Sequence, residues 1–152
     1  MNSCLKVFFI ADGVSPTGRL IVEKLSQIGH RGYFGIHPSQ DAVAMGTSVA
    51  TAMPLDLADD NSVALASTGL LKAERRIDTI VNNLRDPLFG ALEMVSPKAA
   101  EAHLNATLIG MVRLQNSFLP VMRAQNAGRI VTIMPRTNLE NASLRGWQRA
   151  VR

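Results

Sequence analysis

The residues best suited to chemistry lie in Asp12-Gly13-Val14-Ser15-Pro16-Thr17-Gly18, a loop of small residues between an apolar run and an amphipathic one. The chemistry on offer is anion binding. A helix that opens directly after a strand turns unpaired backbone N–H groups, and the positive end of its dipole, toward whatever sits in the turn. Other reactive side chains are few. Cys4 is the single cysteine, which leaves no intrachain disulfide and no cysteine metal cluster, and it reads as a small buried or tail residue. His103 falls in a helical pattern and reads as a surface or packed histidine. His30 sits in a turn and reads as exposed. No metal-ligand set is expected.

The elements around this loop have a regular order. Leu5 to Ile10 is a short apolar run, the pattern of a buried strand. Leu20, Ile21, Leu25 and Ile28 then recur at helical spacing, and Gly29-His30-Arg31-Gly32 reads as a C-cap turn. Tyr33 to Ile36 is a second strand, ended by His37-Pro38, and Ser39 to Met45 fits a short helix. Val49 to Leu55 is a third strand with Pro54 at its end. Asp56 to Asp60 and Asn61-Ser62 then cap a helix running to about Glu74. Ile77 to Val81 is a fourth strand leading into Asn82-Asn83. After a loop to about Ser96, a long helix starts near Pro97, a favoured first-turn residue. It carries Ala102, Ala106, Ile109, Val112, Leu114 and Phe118, with Pro120 near its end. Gly128 to Met134 is a fifth strand. Strands alternating with helices predict an α/β domain, a doubly wound parallel sheet with helices on both faces and ligands expected at the carboxyl ends of the strands.

Composition narrows the function classes. The chain has 152 residues, enough for one domain with a proper core, and its 47% apolar and 18% charged content is ordinary for a globular protein. No apolar run is long enough to span a bilayer, and the amino-terminal residues lack the basic region of a signal peptide. The cytoplasm is the expected location. The net charge is +4. Four arginines against one acid between Arg136 and Arg152 supply +3 of it, so the body is nearly balanced and nucleic acid is not an expected partner. We divide the chain into a domain over 1–135 and a basic tail or partial helix over 136–152.

Five segments, in order, resemble a short-chain dehydrogenase/reductase. They are Leu55-Asp56-Leu57-Ala58-Asp59, Ile77-Asp78-Thr79-Ile80-Val81-Asn82-Asn83, Phe89-Gly90, Phe118-Leu119-Pro120-Val121-Met122-Arg123 and Gly128-Arg129-Ile130-Val131-Thr132-Ile133. The resemblance implies a Rossmann-like sheet in the order 3-2-1-4-5, an NAD or NADP cofactor, and oxidation of alcohols or reduction of carbonyls. It also implies the cofactor-facing positions: Gly13, Ser15, Thr17 and Gly18 in the first loop, His37 after the second strand, Asp56 and Leu57 beside the adenine, and Asn83 after the fourth strand.

The same comparison exposes departures. Asp12 stands where the family has the first glycine of its phosphate loop, and Pro16 stands at the middle one. Proline has no N–H to donate, and a carboxylate repels a nearby phosphate; Asp12 can equally cap the turn, while Ser15 and Thr17 still offer hydroxyls. Leu84-Arg85 replaces a small pair that gives the cofactor room. His37 stands in place of the acid that grips the ribose of NAD, so no cofactor is firmly implied and NADP is the one left open. Asp56 and Asn83 have a second reading, as groups that only satisfy strand-end backbone. Of the family's catalytic set, the serine position holds Pro135, the tyrosine position Gln148, the lysine position Arg152 and the asparagine position Thr107. The only tyrosine is Tyr33 and the last lysine is Lys98, so no register supplies a phenol there. Gln148 exchanges no proton near neutral pH, Arg152 stays charged, and Thr132, Thr137 and Ser143 can orient a carbonyl without protonating it.

Full members of the family continue beyond the point where this chain stops. A short member leaves the fifth strand as an edge and uncovers Leu104, Leu108, Met111 and Leu114 on the long helix. A homo-oligomer through that strand, that helix or both is expected, unless Asn138 to Arg152 folds back over the edge. The reading is therefore a dehydrogenase-like protein with no catalytic residues, acting by binding a nucleotide ligand or by assembly. The alternative is an NADP-dependent oxidoreductase whose activity is residual or completed by a partner.

Overall fold

The computed structural model describes residues 5–40, 50–83 and 92–134. Five parallel strands form one sheet in the order β3-β2-β1-β4-β5. They are β1 Val7–Ile10, β2 Arg31–Ile36, β3 Ala50–Pro54, β4 Thr79–Asn83 and β5 Arg129–Ile133. The helices are α1 Pro16–Gln27, α2 Asp60–Glu74, α3 Pro97–Leu104 and α4 Gly110–Ala124, with a π-helical turn over Asn105–Ile109 joining the last two. The expected doubly wound parallel sheet and its strand order are both present.

β1 is central, and alternate residues feed two cores. Val7 and Phe9 face α2 and α4, where they meet Ile80, Leu70, Leu114 and Phe118. Phe8 and Ile10 face α1, with Phe34, Ile36, Val81 and Val22. A strand buried on both sides is apolar throughout, which explains the unbroken Val7-Phe8-Phe9-Ile10. Phe9 and Phe118 lie 5.6 Å apart between ring centroids and tilted by 48°, worth about 1 kcal/mol beyond simple burial.

Helix boundaries follow local chemistry. Ser15 caps α1 by accepting from Gly18 N at 3.1 Å, and Pro16 occupies the first turn, where its missing N–H costs nothing. Asp59 and Ser96 do the same for α2 and α3. Gly29 takes φ 84° after α1, the left-handed turn that glycine allows. At the amino-terminal edge of the sheet, Asp78 accepts from Val7 N at 2.8 Å and from the Arg76 fork.

Several expectations shift. β2 begins at Arg31, so the turn after α1 is shorter than the four residues assigned to it. Asn82 and Asn83 lie inside β4. On α1, Val22 is buried while Leu20 and Ile28 are 60% and 62% exposed. His30 is half-buried, with its Nδ1 enclosed. The long helix is in two pieces, and its core face is Ala100, Thr107, Gly110, Leu114, Phe118 and Met122. Ala102, Ala106, Ile109 and Val112 are exposed instead, and Leu114 belongs to the core and not to an uncovered side. The π turn accounts for this: an i→i+5 turn inserts an extra residue, and the apolar stripe read at 3.6 residues slips out of phase. The proposed helix over Ser39 to Met45, Cys4, Leu84-Arg85, Phe89-Gly90 and the tail over 136–152 lie outside the described residues.

Candidate functional site

A cavity of about 270 Å³ opens at the carboxyl ends of the strands, beside the switch point where the chain reverses direction across β1. Four strand ends supply most of the lining. β1 delivers Ala11 and Asp12, β2 delivers His37, β3 delivers Leu55, Asp56 and Leu57, and β4 delivers Asn83. The remaining side is helical: His103 from α3, then Ala106 and Thr107 from the π turn. Of the eight sequence-predicted positions, the structure brings His37, Asp56, Leu57 and Asn83 together around this cavity. Gly13, Ser15, Thr17 and Gly18 lie in the adjoining β1–α1 turn.

That turn is closely built. A side chain on Gly18 would strike the Asp12 carbonyl oxygen and come within 2.9 Å of Gly13 Cα, so only glycine lets α1 start this near β1. Gly13 presses on the Phe34 side chain, where a Cβ would find Cγ at 2.6 Å. Thr17 is exposed on the outer side of the helix start. The Ser15 hydroxyl accepts from Gly18 N at 3.1 Å and from Asn83 Nδ2 at 2.6 Å, and it donates to the Asp12 carbonyl at 3.3 Å. One hydroxyl has one proton and two lone pairs, so all of it is committed. Asn83 Nδ2 also donates to the Asp12 carbonyl at 3.1 Å, tying β4 to β1 across the switch point. The Asp12 side chain is buried and faces Ser15 N at 3.4 Å, the turn-capping role considered for it.

On the opposite wall, Asp56 Oδ1 accepts from Ala58 N at 2.9 Å, and Asp56 N donates to Ser62 Oγ at 2.8 Å. Asp56 Oδ2 is left facing His37 Nε2 at 3.7 Å. His37 Nδ1 accepts from Ser39 N at 3.2 Å, which leaves the ring proton on Nε2, toward Asp56. Burial holds the His103 imidazole below the ordinary histidine range. Thr107 Oγ1 donates to the His103 carbonyl at 2.7 Å, so its proton is spent within the helix. Thr132 lies on β5 and accepts from Asn82 Nδ2 at 3.4 Å. Pro135, Thr137, Ser143, Gln148 and Arg152 lie outside the described residues. Among the described residues no group of three or more potential metal ligands converges.

Sequence reasoning missed two contributors. His103 reads in the sequence as a surface or packed histidine, and the structure places it half-buried on the cavity wall, four residues from Thr107 on one helix face. Arg113 went unremarked. Its guanidinium reaches the Leu57 carbonyl at 3.2 Å and the Asn105 carbonyl at 3.4 Å, and its Nε bonds Asp60. It therefore ties the loop after β3 to the π turn, the two walls that carry Leu57 and Thr107. Gly110 completes the seam, since a Cβ there would meet Leu57 Cβ at 2.6 Å.

A parallel sheet in this order, with a crevice at the switch point and a strand–turn–helix corner beside it, defines a Rossmann-like nucleotide-type fold. The profile of the short chain dehydrogenase family matches residues 7–142, and the chain belongs to that family. It is 26% identical over 129 residues to a 3-ketodihydrosphingosine reductase of Bacteroides thetaiotaomicron, covering 84% of this chain and 46% of that protein. It is 35% identical over 79 residues to the 17-beta-hydroxysteroid dehydrogenase type 1 of Mus musculus, covering 52% of this chain and 22% of that one. The chain thus spans less than half the length of these relatives. The fold matches a short-chain dehydrogenase from Streptomyces avermitilis with a TM-score of 0.85 and 24% identity, over 99% of this chain and 57% of that one. It also matches a metagenomic short-chain oxidoreductase solved with NADP, with a TM-score of 0.75 and 25% identity, over 84% of this chain and 60% of that one. No helix among the described residues is long and apolar enough to cross a membrane.

Proposed function

We propose that this chain is a non-catalytic short-chain-dehydrogenase-like domain, which acts through a nucleotide-type ligand at the strand-end cavity and through self-association. The observation that carries the reading is the fate of Tyr33, the one tyrosine in the chain. It is buried in β2, and its hydroxyl donates to Glu74 Oε1 at 2.6 Å beside Arg31, at the other end of the strand from His37. Burial and the Glu74 carboxylate push its pKa up to about 12, the opposite of what a general acid near neutral pH needs. His103 and His37 line the cavity, where His37 Nδ1 meets Ser39 Oγ at 2.7 Å, and among the described residues no lysine lines it.

The group that the family implies, a nicotinamide dinucleotide, fits this site only in part. The wall of Asp56, Leu57 and His37 suits a base and ribose hydroxyls. The β1–α1 turn does not suit a pyrophosphate, because Asp12 presents a carboxyl group, Pro16 has no N–H, and Ser15 is committed.

Self-association rests on apolar surface. Leu108, Ile109 and Val112 are 42–46% exposed on one stretch of the long helix, and Ile130 and Val131 of β5 are 38% and 37% exposed. A second reading, an NADP-dependent oxidoreductase of residual or partner-completed activity, draws on the similar oxidoreductase solved with NADP. The cytoplasm remains the proposed location. The test pairs light scattering at low protein concentration with NADH and NADPH oxidation assays over a panel of ketones and aldehydes. A dimer or larger species without turnover is expected. Cofactor oxidation above the protein-free rate sinks the non-catalytic reading, and a clean monomer sinks self-association.

A further inference from the structure

We infer that the amino-terminal end of the sheet docks on an anionic lipid surface, which leaves the strand-end cavity facing away from that surface. The inference goes beyond the nucleotide-type reading above and does not depend on it.

A parallel sheet with crossover helices gathers its strand starts and its helix carboxyl ends at one end of the molecule. In this chain basic residues collect there. Lys24, Lys72 and Arg123 lie in the last turns of α1, α2 and α4, where the helix dipole favours a cation. Lys6, Arg31 and Arg129 stand at or just before the starts of β1, β2 and β5, and Arg75 and Arg76 follow α2 on the way to β4. All of these residues are exposed. Hydrogen bonds make the surface continuous. Arg31 N donates to the Lys6 carbonyl at 2.9 Å, Arg129 N donates to the Asp78 carbonyl at 2.8 Å, and the Gln125 side chain ties the end of α4 to the Ile77 backbone. Two acids share this end, Glu74 and Asp78. Their side chains are only 7% and 11% exposed and are turned onto Arg31 and Arg76. Asp12, Asp56, Asp59 and Asp60 sit at the opposite end, around the cavity and the start of α2. The nearly balanced body thus conceals a segregated charge, positive at one end and acidic at the other.

Two further observations favour lipid over a polynucleotide. Leu5 and Ile28 are 48% and 62% exposed at this end. Leu5 precedes Lys6, and Ile28 N bonds the Lys24 carbonyl at 3.3 Å. Apolar side chains set among basic ones suit the boundary between headgroups and acyl chains, and have no counterpart in a row of phosphates. The aromatic side chains among the described residues, Phe8, Phe9, Tyr33, Phe34 and Phe118, are all buried, so none is presented to stack on a base.

Co-sedimentation of the full chain with phosphatidylcholine vesicles, with and without about 30% phosphatidylserine, at about 0.1 M salt tests this. Binding to the anionic vesicles alone is expected, and it should fall steeply as salt is raised. Each basic residue near the surface contributes about fivefold, so Lys24→Gln, Lys72→Gln and Arg129→Gln together should weaken binding about a hundredfold. Leu5→Ser with Ile28→Ser keeps the charge and should weaken it about tenfold. These side chains are exposed, and circular dichroism confirms that each variant is folded. Absence of binding to the anionic vesicles overturns the inference, as does equal binding to uncharged ones. It is overturned too if Arg136→Gln, Arg145→Gln and Arg149→Gln together remove the binding while the triple variant of the sheet end retains it, because the tail is then the seat. Tighter binding to a DNA duplex than to the vesicles at matched phosphate concentration, unmoved by the Leu5 and Ile28 changes, makes the partner a polynucleotide and overturns it as well.

Discussion

Replacing Arg113 by alanine tests whether one side chain holds the two walls of the cavity together. The side chain is 21% exposed and spans the Leu57 carbonyl, the Asn105 carbonyl and Asp60. The two carbonyl bonds, at 3.2 Å and 3.4 Å, are long, and water can replace a donor once the side chain is gone. We therefore take the pair together at about 1.5 kcal/mol, the lower end for one hydrogen bond to a charged group. Asp60 is 81% exposed, so its ion pair adds at most about 0.5 kcal/mol. The expected loss is about 2 kcal/mol, a fall in Tm of about 6 °C for a chain of this size. Arg113→Lys keeps the charge but not the planar fork and should recover less than half of the loss. Asp60→Asn removes the ion pair alone and should lower Tm by no more than about 2 °C. Urea unfolding followed by circular dichroism, with thermal melts of all three variants, gives the numbers. The reasoning fails if Arg113→Ala melts within about 1 °C of wild type. It fails equally if Asp60→Asn is as damaging as Arg113→Ala, because the surface ion pair would then be the whole effect.

Three further outcomes are expected. Tyrosinate absorbance should report a single phenol titrating at about 12; since the folded value lies above the unfolded one near 10, the stability it contributes is complete below about pH 10 and lost as pH rises through 12, and a midpoint near 10 in the folded chain contradicts the burial and Glu74 contacts. Burial disfavours the Asp78 carboxylate, but the Arg76 fork, Val7 N and Lys6 outweigh it and hold its pKa below the ordinary 3.8. The stability lost in Asp78→Asn should be about 1–2 kcal/mol above the unfolded pKa and should shrink as pH falls through the depressed folded value; a gap constant from neutral pH into strong acid counts against it. Gly18→Ala puts a Cβ on the Asp12 carbonyl oxygen, backbone that cannot rotate away, and should cost about 2–3 kcal/mol in denaturant unfolding; a loss below about 0.5 kcal/mol means that the β1–α1 turn is looser than drawn.

What could be read from the sequence divides along the range of the interactions. Alternating strands and helices, the acidic cap before α2 and the doubly buried β1 are local or periodic signals, and the alternation translates into the observed parallel sheet. The grouping of His37, Asp56, Leu57 and Asn83 was implied by the family resemblance, and the parallel sheet accounts for it by placing the strand ends that carry them on one side. Hydrogen-bond valence was not legible. Ser15 offers a hydroxyl in the sequence; only the 2.6 Å approach of Asn83, 68 residues away, shows that the hydroxyl is used up. The helix face failed for a different reason. The π turn at Asn105–Ile109 changes the residues per turn in mid-helix, so Thr107 and Gly110 turn inward while Ile109 and Val112 turn out. Arg113 supplies a local reason for the turn to sit where it does, since it holds the Asn105 carbonyl from eight residues further on. The turn that misled the periodicity is thus the one that brings Thr107 to the cavity wall. Departures from local rules tend to gather where a chain builds a site, and here the helix breaks its period against the loop after β3, which carries Leu57 to the cavity wall.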